Sequence, residues 1–384
     1  MSAPDIYCTE DAVRLARQRL PRLIYDFIAG ATGREQAKQF NRDSIQALRL
    51  QPRILKNVEN RTTQTTLLGR DYGLPFGIAP MGMCNLVWPQ ADTMLAGASA
   101  YYDIPLCLSS AASTSIEDMA SLNPERSWFQ LYVTQSKEEA LILTRRAASN
   151  GYDTLVFTVD VPQVSRRIRD LRNGFQMPFH IGPKQFLDFA LHPHWSLSTL
   201  RHGAPEPVNF KSVLGDNTFS RNASRGGCDW EFLAQLREHW QGKLIVKGVL
   251  HPEDAVRIRD SGADAVYISN HGGRQLDSAP PAIMALPLIR EAVGQDFPLL
   301  FDSGLRSGED IVKALALGAD FVMLGRPLLF AIGADSERGL NTLIQLLADE
   351  INVVMAQLGI TQVTDIDREV IAETQSSTFW RAMP

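Results

Sequence analysis

Between residues 75 and 325 a short apolar run is followed by a stretch of helical character, and the pair recurs eight times. The runs are 76–80, 105–109, 128–133, 154–160, 244–247, 265–270, 298–302 and 321–325. Helical spacing is plain in several of the intervals. Segment 135–150 carries apolar residues three and four apart, and 252–262 opens on Pro252 and closes on Gly262. Segment 307–318 begins with Ser307, a good cap, followed by acidic residues in the first turn. Strands that alternate with helices must pair in parallel through right-handed crossovers. Eight such units in about 250 residues predict a closed (β/α)8 TIM barrel. The alternative is an open, doubly wound sheet; its nicotinamide-binding form is disfavoured because no Gly-x-Gly-x-x-Gly follows the first run. The whole chain, 1–384, then reads as a single domain: an N-terminal helical extension at 1–70, the barrel at 75–357, and a long insertion after strand four at 171–228. In the extension Thr9 is expected to cap a helix through Leu20, Pro21 to start a second helix that Gly30 ends, and 41–55 to lead out through Pro52.

Barrels carry their chemistry at the C-terminal ends of the strands. At those ends stand Met81 and Gly82, Ser109, Gln130 and Tyr132, Thr158 and Asp160, Lys247, His271 and Arg274, Asp302 and Arg306, and Gly325 and Arg326. One at a time these are ordinary turn residues. Converging on one rim they form a cofactor and substrate site. The sharpest stretch is 269–277, Ser-Asn-His-Gly-Gly-Arg-Gln-Leu-Asp, directly after a buried-strand pattern. It sets a base that exchanges protons near neutral pH beside a guanidinium that can clamp a carboxylate with two hydrogen bonds. That pairing suits proton abstraction next to a carboxylate. Units seven and eight carry Asp302-Ser303-Gly304-Leu305-Arg306 and Leu324-Gly325-Arg326-Pro327. Glycines and helix N-termini there can receive a phosphate, with two arginines adding charge. A flat ring between phosphate and base fits the space left over, and flavin mononucleotide (FMN) has that outline.

Bulk properties exclude other classes. The net charge of -5 and the lack of a basic, aromatic-interleaved run give no reason to expect nucleic acid. Cys8, Cys84, Cys107 and Cys228 are far apart and form no Cys-x-x-Cys, so neither a zinc site nor a disulfide framework is indicated. The start of the chain has no signal-peptide pattern, and no apolar stretch reaches the ~18 residues of a spanning helix. A cytoplasmic location is expected, with the inner face of the cell membrane as a possible peripheral site.

The residues in 269–277, together with 129–133, 158–160 and 313–319, resemble the FMN-dependent 2-hydroxy-acid oxidase and dehydrogenase family of glycolate oxidase, lactate dehydrogenase and mandelate dehydrogenase. The resemblance runs from Leu20 to Pro327. It implies an enzyme that oxidises an L-2-hydroxy acid to the 2-oxo acid. His271 would be the base, with Asp160 orienting it and raising its pKa. Arg274 would clamp the substrate carboxylate with help from Arg167, and Tyr132 would bond the substrate hydroxyl. Pro80, Met81, Gly82, Ser109, Gln130, Thr158 and Ser269 would line the flavin, and Lys247 would stabilise its reduced anionic form. Asp302, Gly304, Arg306, Gly325 and Arg326 would hold its ribityl phosphate. Relatives form homotetramers and pass electrons to a quinone, a cytochrome or O2.

This chain departs from the family in places. Aligning Tyr25-Asp26-Phe27 with the family's Tyr-Asp-Tyr puts Phe27 where a tyrosine meets the substrate carboxylate. Arg274 and Arg167 suffice, or Tyr25 compensates after a register shift, or the substrate is no simple short acid. Ala111 replaces the tryptophan of glycolate oxidase and leaves room for a large or aromatic substituent, as in mandelate dehydrogenase. Gly82, where oxidases often have alanine, favours a quinone or cytochrome acceptor over O2. The insertion has little periodicity and mixes exposed-type apolar residues such as Phe186, Leu187, Leu191 and Leu197 with Arg172, Lys184, Arg201, Lys211, Arg221 and Arg225. Against these six stand Asp188, Glu206 and Asp216, a net of +3. Such a segment can dock on an anionic bilayer, and relatives place their membrane segment here; a lid or subunit contact is the alternative. His180, His192, His194 and His202 match no standard metal spacing. An O2-dependent oxidase producing H2O2 and a flavin enzyme acting on an atypical modified peptide or amine remain the competing activities, and a non-enzymatic binding barrel the remote one.

Overall fold

The computed structural model describes residues 5–133, 136–175, 181–210 and 226–372. Gln135, His180, Lys211, Asp216, Arg221 and Arg225 therefore lie outside the described residues. A two-stranded hairpin, β1 (Thr65–Leu67) and β2 (Arg70–Tyr72), precedes eight strands that close into a barrel. These are β3 (Phe76–Met81), β4 (Leu106–Ser109), β5 (Ser127–Leu131), β6 (Thr154–Thr158), β7 (Lys243–Val249), β8 (Ala265–Ile268), β9 (Leu299–Phe301) and β10 (Phe321–Leu324). Every neighbouring pair is parallel, and β10 returns to pair with β3. The doubly wound alternative is thereby excluded. Each strand lies on an apolar run, but five of them stop one or two residues before the run ends. Of the residues just beyond these ladders, Tyr132, Asp302 and Gly325 line the pocket above the barrel, while Asp160 and Ser269 stand behind its walls.

Side chains of alternate parity fill the barrel. Ala79, Cys107, Trp128, Val156, Ile245, Ala265, Tyr267, Leu300, Phe321 and Met323 form the interior cluster, and Leu67 and Tyr72 of the hairpin plug its lower end. The opposite parity packs outward against the helices. Such strands are buried on both faces, which is why they read as continuous apolar runs rather than alternating ones.

The extension forms α1 (Thr9–Arg19), α2 (Arg22–Ala29) and α3 (Gln36–Ala47). Gly30 does end α2. Thr9 is not a cap: Cys8 holds that place, and the Thr9 hydroxyl instead donates to the Arg306 carbonyl. The third helix starts at Gln36, five residues before the expected segment. α1 packs along the long C-terminal helix Arg326–Leu358, which is broken at Asp335 and Ser336. The described part of the insertion is more regular than its sequence implies. It contains helices Pro183–Ala190 and Pro193–His202, each opened by a proline in its first turn. Their periodicity is hidden because one face meets the body and the other carries apolar residues into solvent.

Candidate active site

The rim above the C-terminal strand ends encloses a pocket. Its walls include Phe27, Pro80, Met81, Gly82, Ser109, Ala111, Tyr132, Arg167, Lys247, His271, Arg274, Asp302, Gly304, Arg306, Gly325 and Arg326, drawn from α2 and from the C-terminal ends of all eight strands or the loops that follow them. Asp160, Gln130 and Ser269 stand behind these walls as partners of residues on them, and Thr158 stands behind Gln130. Tyr25 is absent from the pocket; its ring packs on Phe330 at 5.8 Å, so it does not stand in for the missing hydroxyl of Phe27.

His271 follows β8 in a short turn. Its Nδ1 lies 3.0 and 3.1 Å from the two carboxylate oxygens of Asp160. A carboxylate can only accept, so Nδ1 carries the proton and Nε2 presents a lone pair. Nε2 is 3.4 Å from the Tyr132 hydroxyl. Asp160 reaches this position because Gly248 bulges out of β7 with φ +104°; a Cβ there would fall 2.6 Å from the Asp160 Cβ. The expected rise in the His271 pKa is not found. Burial drives it below its ordinary 6.5, Asp160 pulls it back up, and the Lys247 and Arg167 charges push it down again. The imidazole is thus held neutral at neutral pH.

A second cluster lies between β7 and β9. Lys247 donates to Ser269 Oγ at 2.7 Å and pairs with Asp302 at 3.2 Å. Asp302 Oδ1 also accepts from Ser269 and Ser303, at 2.5 and 2.8 Å, and Oδ2 from Tyr267 at 2.8 Å. With Lys247 these donors occupy the four lone-pair sites of a carboxylate. Asp302 therefore holds Lys247 in place and has little capacity left for a ligand hydroxyl. Burial opposes both charges, yet the pairing wins: the Lys247 ammonium is pushed up and the Asp302 carboxyl down. On the other side of the pocket Ser109 donates to Gln130 Oε1 and Gln130 Nε2 to Thr158, each at 3.0 Å.

Arg274 Nη1 lies 3.0 Å from the carbonyls of Phe27 and Gly30 and 3.3 Å from that of Ile28, the C-terminal carbonyls of α2. Arg326 takes the same carbonyls of Ile28 and Gly30 through Nε and Nη2, and that of Gly272 through Nη1. A helix end bearing unpaired carbonyls and negative dipole is a natural seat for two guanidinium groups. Burial pulls Arg306 down to about 10 and, with its cationic neighbours, Arg326 to about 9. Both remain charged at neutral pH.

The model of the FMN-dependent dehydrogenase family matches residues 16–373. The chain belongs to that family. It is 40% identical to (S)-mandelate dehydrogenase of Pseudomonas putida over 373 residues, 96% of this chain and 94% of that protein. It is 37% identical to an L-lactate dehydrogenase of Pseudomonas syringae pv. syringae (strain B728a), covering 93% and 96%. A crystal structure of the monotopic membrane protein (S)-mandelate dehydrogenase superposes with a TM-score of 0.90 at 38% identity, over 97% of this chain and all of that one. The protein is an FMN-dependent hydroxy-acid dehydrogenase or oxidase, and its pocket fits the cofactor. Two guanidinium groups, those of Arg306 and Arg326, the Gly304 and Gly325 turns and the start of the helix Arg326–Leu358 meet at one end, as a phosphate requires. A buried ammonium, Lys247, and the Ser109–Gln130–Thr158 chain stand toward the other.

Other pocket residues were not foreseen as site residues. Phe175 stacks on Phe27 with centroids 4.8 Å apart and planes 11° from parallel, and Pro207 also reaches the pocket from the insertion. Neither carries a local pattern that marks it. Gly248 does: a lone glycine in a strand signals a bulge or a close approach. Met83 also lines the pocket, at φ +61° after Gly82, and has no such mark in the sequence.

Proposed function

We propose that this chain oxidises a bulky, aromatic L-2-hydroxy acid to its 2-oxo acid and delivers the electrons to a membrane quinone. The observation that carries the reading is the His271 tautomer: Nδ1 is tied to Asp160 and Nε2 faces a pocket that also presents Tyr132, Arg167 and Arg274. The substrate loses two protons and two electrons; FMN, when bound, would accept the electron pair with one of the protons, and His271 the other proton. His271 Nε2 takes the first proton, and Asp160 stabilises the imidazolium that results. Arg274, its Nη1 held by the α2 carbonyls, and Arg167 grip the carboxylate. Tyr132 orients the hydroxyl. Lys247 would supply positive charge to stabilise a reduced, anionic flavin, and Arg306, Arg326 and the Gly304 and Gly325 loops would hold its phosphate.

The side-chain subsite is apolar. Phe27, Phe175, Met81, Met83 and Pro207 offer rings and flexible thioethers, and Ala111 leaves the space beside Gly82 open. A Cβ on Gly82 would sit 3.1 Å from that of Ala111, so both small residues together set the width here. An aryl group fills such a wall better than the methyl of lactate. The quinone assignment is supported by the outer face of the insertion, where Ile181, Phe186, Leu187, Leu191, Leu197 and Leu200 are exposed beside Lys184 and Arg201. No helix among the described residues is long and apolar enough to cross a membrane, which leaves surface docking.

The test is anaerobic bleaching of the yellow holoenzyme with mandelate, 4-hydroxymandelate, phenyllactate, lactate, glycolate and a long-chain 2-hydroxy acid. We expect an aryl acid to bleach fastest and a quinone to restore the colour faster than air does. Fastest bleaching by glycolate or lactate would overturn the substrate class. Stoichiometric H2O2 during turnover in air would make the protein an oxidase.

A further inference from the structure

Three consecutive residues after β8 have positive φ: His271 at 57°, Gly272 at 61° and Gly273 at 75°. Two are glycines, for which this is unremarkable. His271 has a Cβ, and the left-handed region is disfavoured for it. Such a conformation persists only where its surroundings over-determine it. The surroundings here include a pair of buried amides.

Asn270, next to His271, accepts from Gly273 N–H through Oδ1 at 3.1 Å and donates to the Pro280 carbonyl through Nδ2 at 3.1 Å. Those two backbone partners fix which way its amide faces. Asn41 of α3 meets it reciprocally. Asn41 Nδ2 donates to Asn270 Oδ1 at 2.7 Å, and Asn270 Nδ2 donates to Asn41 Oδ1 at 2.8 Å. Asn41 Oδ1 also accepts from Ala282 N–H at 3.2 Å. Both residues are almost fully buried, and neither lines the pocket. The far end of the same loop is fastened to the same helix. Asp277 accepts from the backbone N–H groups of Arg34 at 2.6 Å and Gln36 at 2.7 Å, supplying the cap that Glu35 does not. Between the two fastenings the loop backbone lies on the helix backbone: a Cβ on Gly273 would fall 2.5 Å from the Lys38 nitrogen.

We propose that Asn41 is a positioning residue for this reaction, holding His271 in its strained backbone conformation through the Asn41–Asn270 amide pair. The inference rests on His271 being the base. Only a planar group with a donor and an acceptor serves at position 41. Alanine leaves the Ala282 N–H without its partner and cuts the loop from α3. Aspartate keeps both accepted bonds but opposes Asn270 Oδ1 with a second oxygen unless it is protonated.

The experiment compares FMN-loaded wild type with Asn41→Ala, Asn41→Asp and His271→Ala, using the panel acid that bleaches wild type fastest and its 2-deuterated form. Loss of ångström-level placement lowers rates by about a hundredfold. Asn41→Ala should therefore keep its FMN and its KM within about threefold while flavin reduction slows on the order of 10- to 100-fold, with a larger deuterium effect on kcat because chemistry has become limiting. Asn41→Asp should recover relative to wild type as pH falls, when the carboxyl can donate to Asn270 Oδ1. A merely structural role would reduce the number of active molecules and move neither the isotope effect nor the pH profile. That pattern, or wild-type reduction by Asn41→Ala, overturns the proposal. If Asn41→Ala does not fold, the isosteric Asn41→Asp decides through its pH profile. The His271→Ala arm separates the two readings: an active His271→Ala ends the base assignment, whereas an inactive one beside a wild-type-like Asn41→Ala ends only the positioning role.

Discussion

The loop after β8 and the insertion after β6 leave the barrel at the same rim and are built on opposite principles. In the loop, backbone groups of 270–274 are engaged from several sides: Asn270 and Gly272 N–H by Ser303 Oγ, Gly272 carbonyl by Arg326, Gly273 carbonyl by Thr32, and Arg274 carbonyl by Ser165. The insertion helices are tied to the body by a few bonds. Asp188 caps α2 through Arg22 and Leu23 N–H at 3.1 and 3.3 Å, and the buried Trp195 indole donates to the carbonyls of Val87 and Leu86. The rest of those helices faces outward with leucines and a phenylalanine. On the function proposed above, proton transfer requires a base fixed to a fraction of an ångström, and over-determined backbone supplies that. The proposed membrane docking requires only a scaffold that keeps apolar side chains from folding inward, and these two fastenings supply one.

The largest effect expected from this contrast is local to the loop. His271→Ala should lower kcat about 10²- to 10⁴-fold, the usual contribution of general acid–base catalysis. FMN should stay bound, because Arg306, Arg326, Lys247 and Ser109 belong to other strand–loop units of the barrel. Substrate affinity should change little while Arg274, Arg167 and Tyr132 remain. Absorbance spectra with single-turnover reduction measure both, and a colourless variant would show that the loop serves the cofactor instead.

Next in size is Asp160→Asn. Asp160 is the influence that raises the His271 pKa against burial and against Lys247 and Arg167. Removing its charge lowers that pKa further. Activity needs the neutral imidazole, so the acid limb of kcat/KM, already expected below pH 6.5 in wild type, should move to still lower pH. The plateau should fall on the order of 10²-fold, since the imidazolium loses its counter-charge and the base weakens. A limb that moves upward in pH would mean that Asp160 does not act through His271.

The architecture and the rim were legible in the chain because both rest on local patterns. Doubly buried strands give apolar runs, and the residues that line the pocket follow where those runs end. What escaped is non-local. Asn41 occupies the apolar stripe Ala37, Asn41, Ile45 of α3, and a buried amide in such a stripe signals a partner without naming it. Asn270 lies over two hundred residues away, and nothing short of the fold joins them. The direction of the His271 pKa was misread for a related reason. A carboxylate neighbour is visible in sequence, whereas the burial and the two cations that outweigh it arise from three separate loops. The insertion helices were missed because their apolar faces point away from the core, the reverse of the pattern that marks a soluble helix.

Phe186, Leu187 and Leu191 are 68%, 61% and 69% exposed, so replacing them removes apolar surface without opening the core. Full burial of one such side chain is worth about 1.5–3 kcal/mol. Half-burial in a bilayer interface then gives roughly 1 kcal/mol each, about 3 kcal/mol for the three. Lys184 and Arg201 add about 1 kcal/mol apiece on an anionic surface. Apolar contact thus outweighs charge. The triple variant Phe186→Ser, Leu187→Ser, Leu191→Ser should bind anionic phospholipid vesicles on the order of a hundredfold more weakly. High salt should weaken wild-type binding by a smaller factor. Turnover with a soluble acceptor should stay within about twofold, because neither fastening of the insertion is touched. Vesicle co-sedimentation beside a dye-coupled assay reads both. A triple variant that sediments like wild type would turn this face into a lid or a subunit contact, and one that loses soluble-acceptor turnover would show that the two regions are coupled after all.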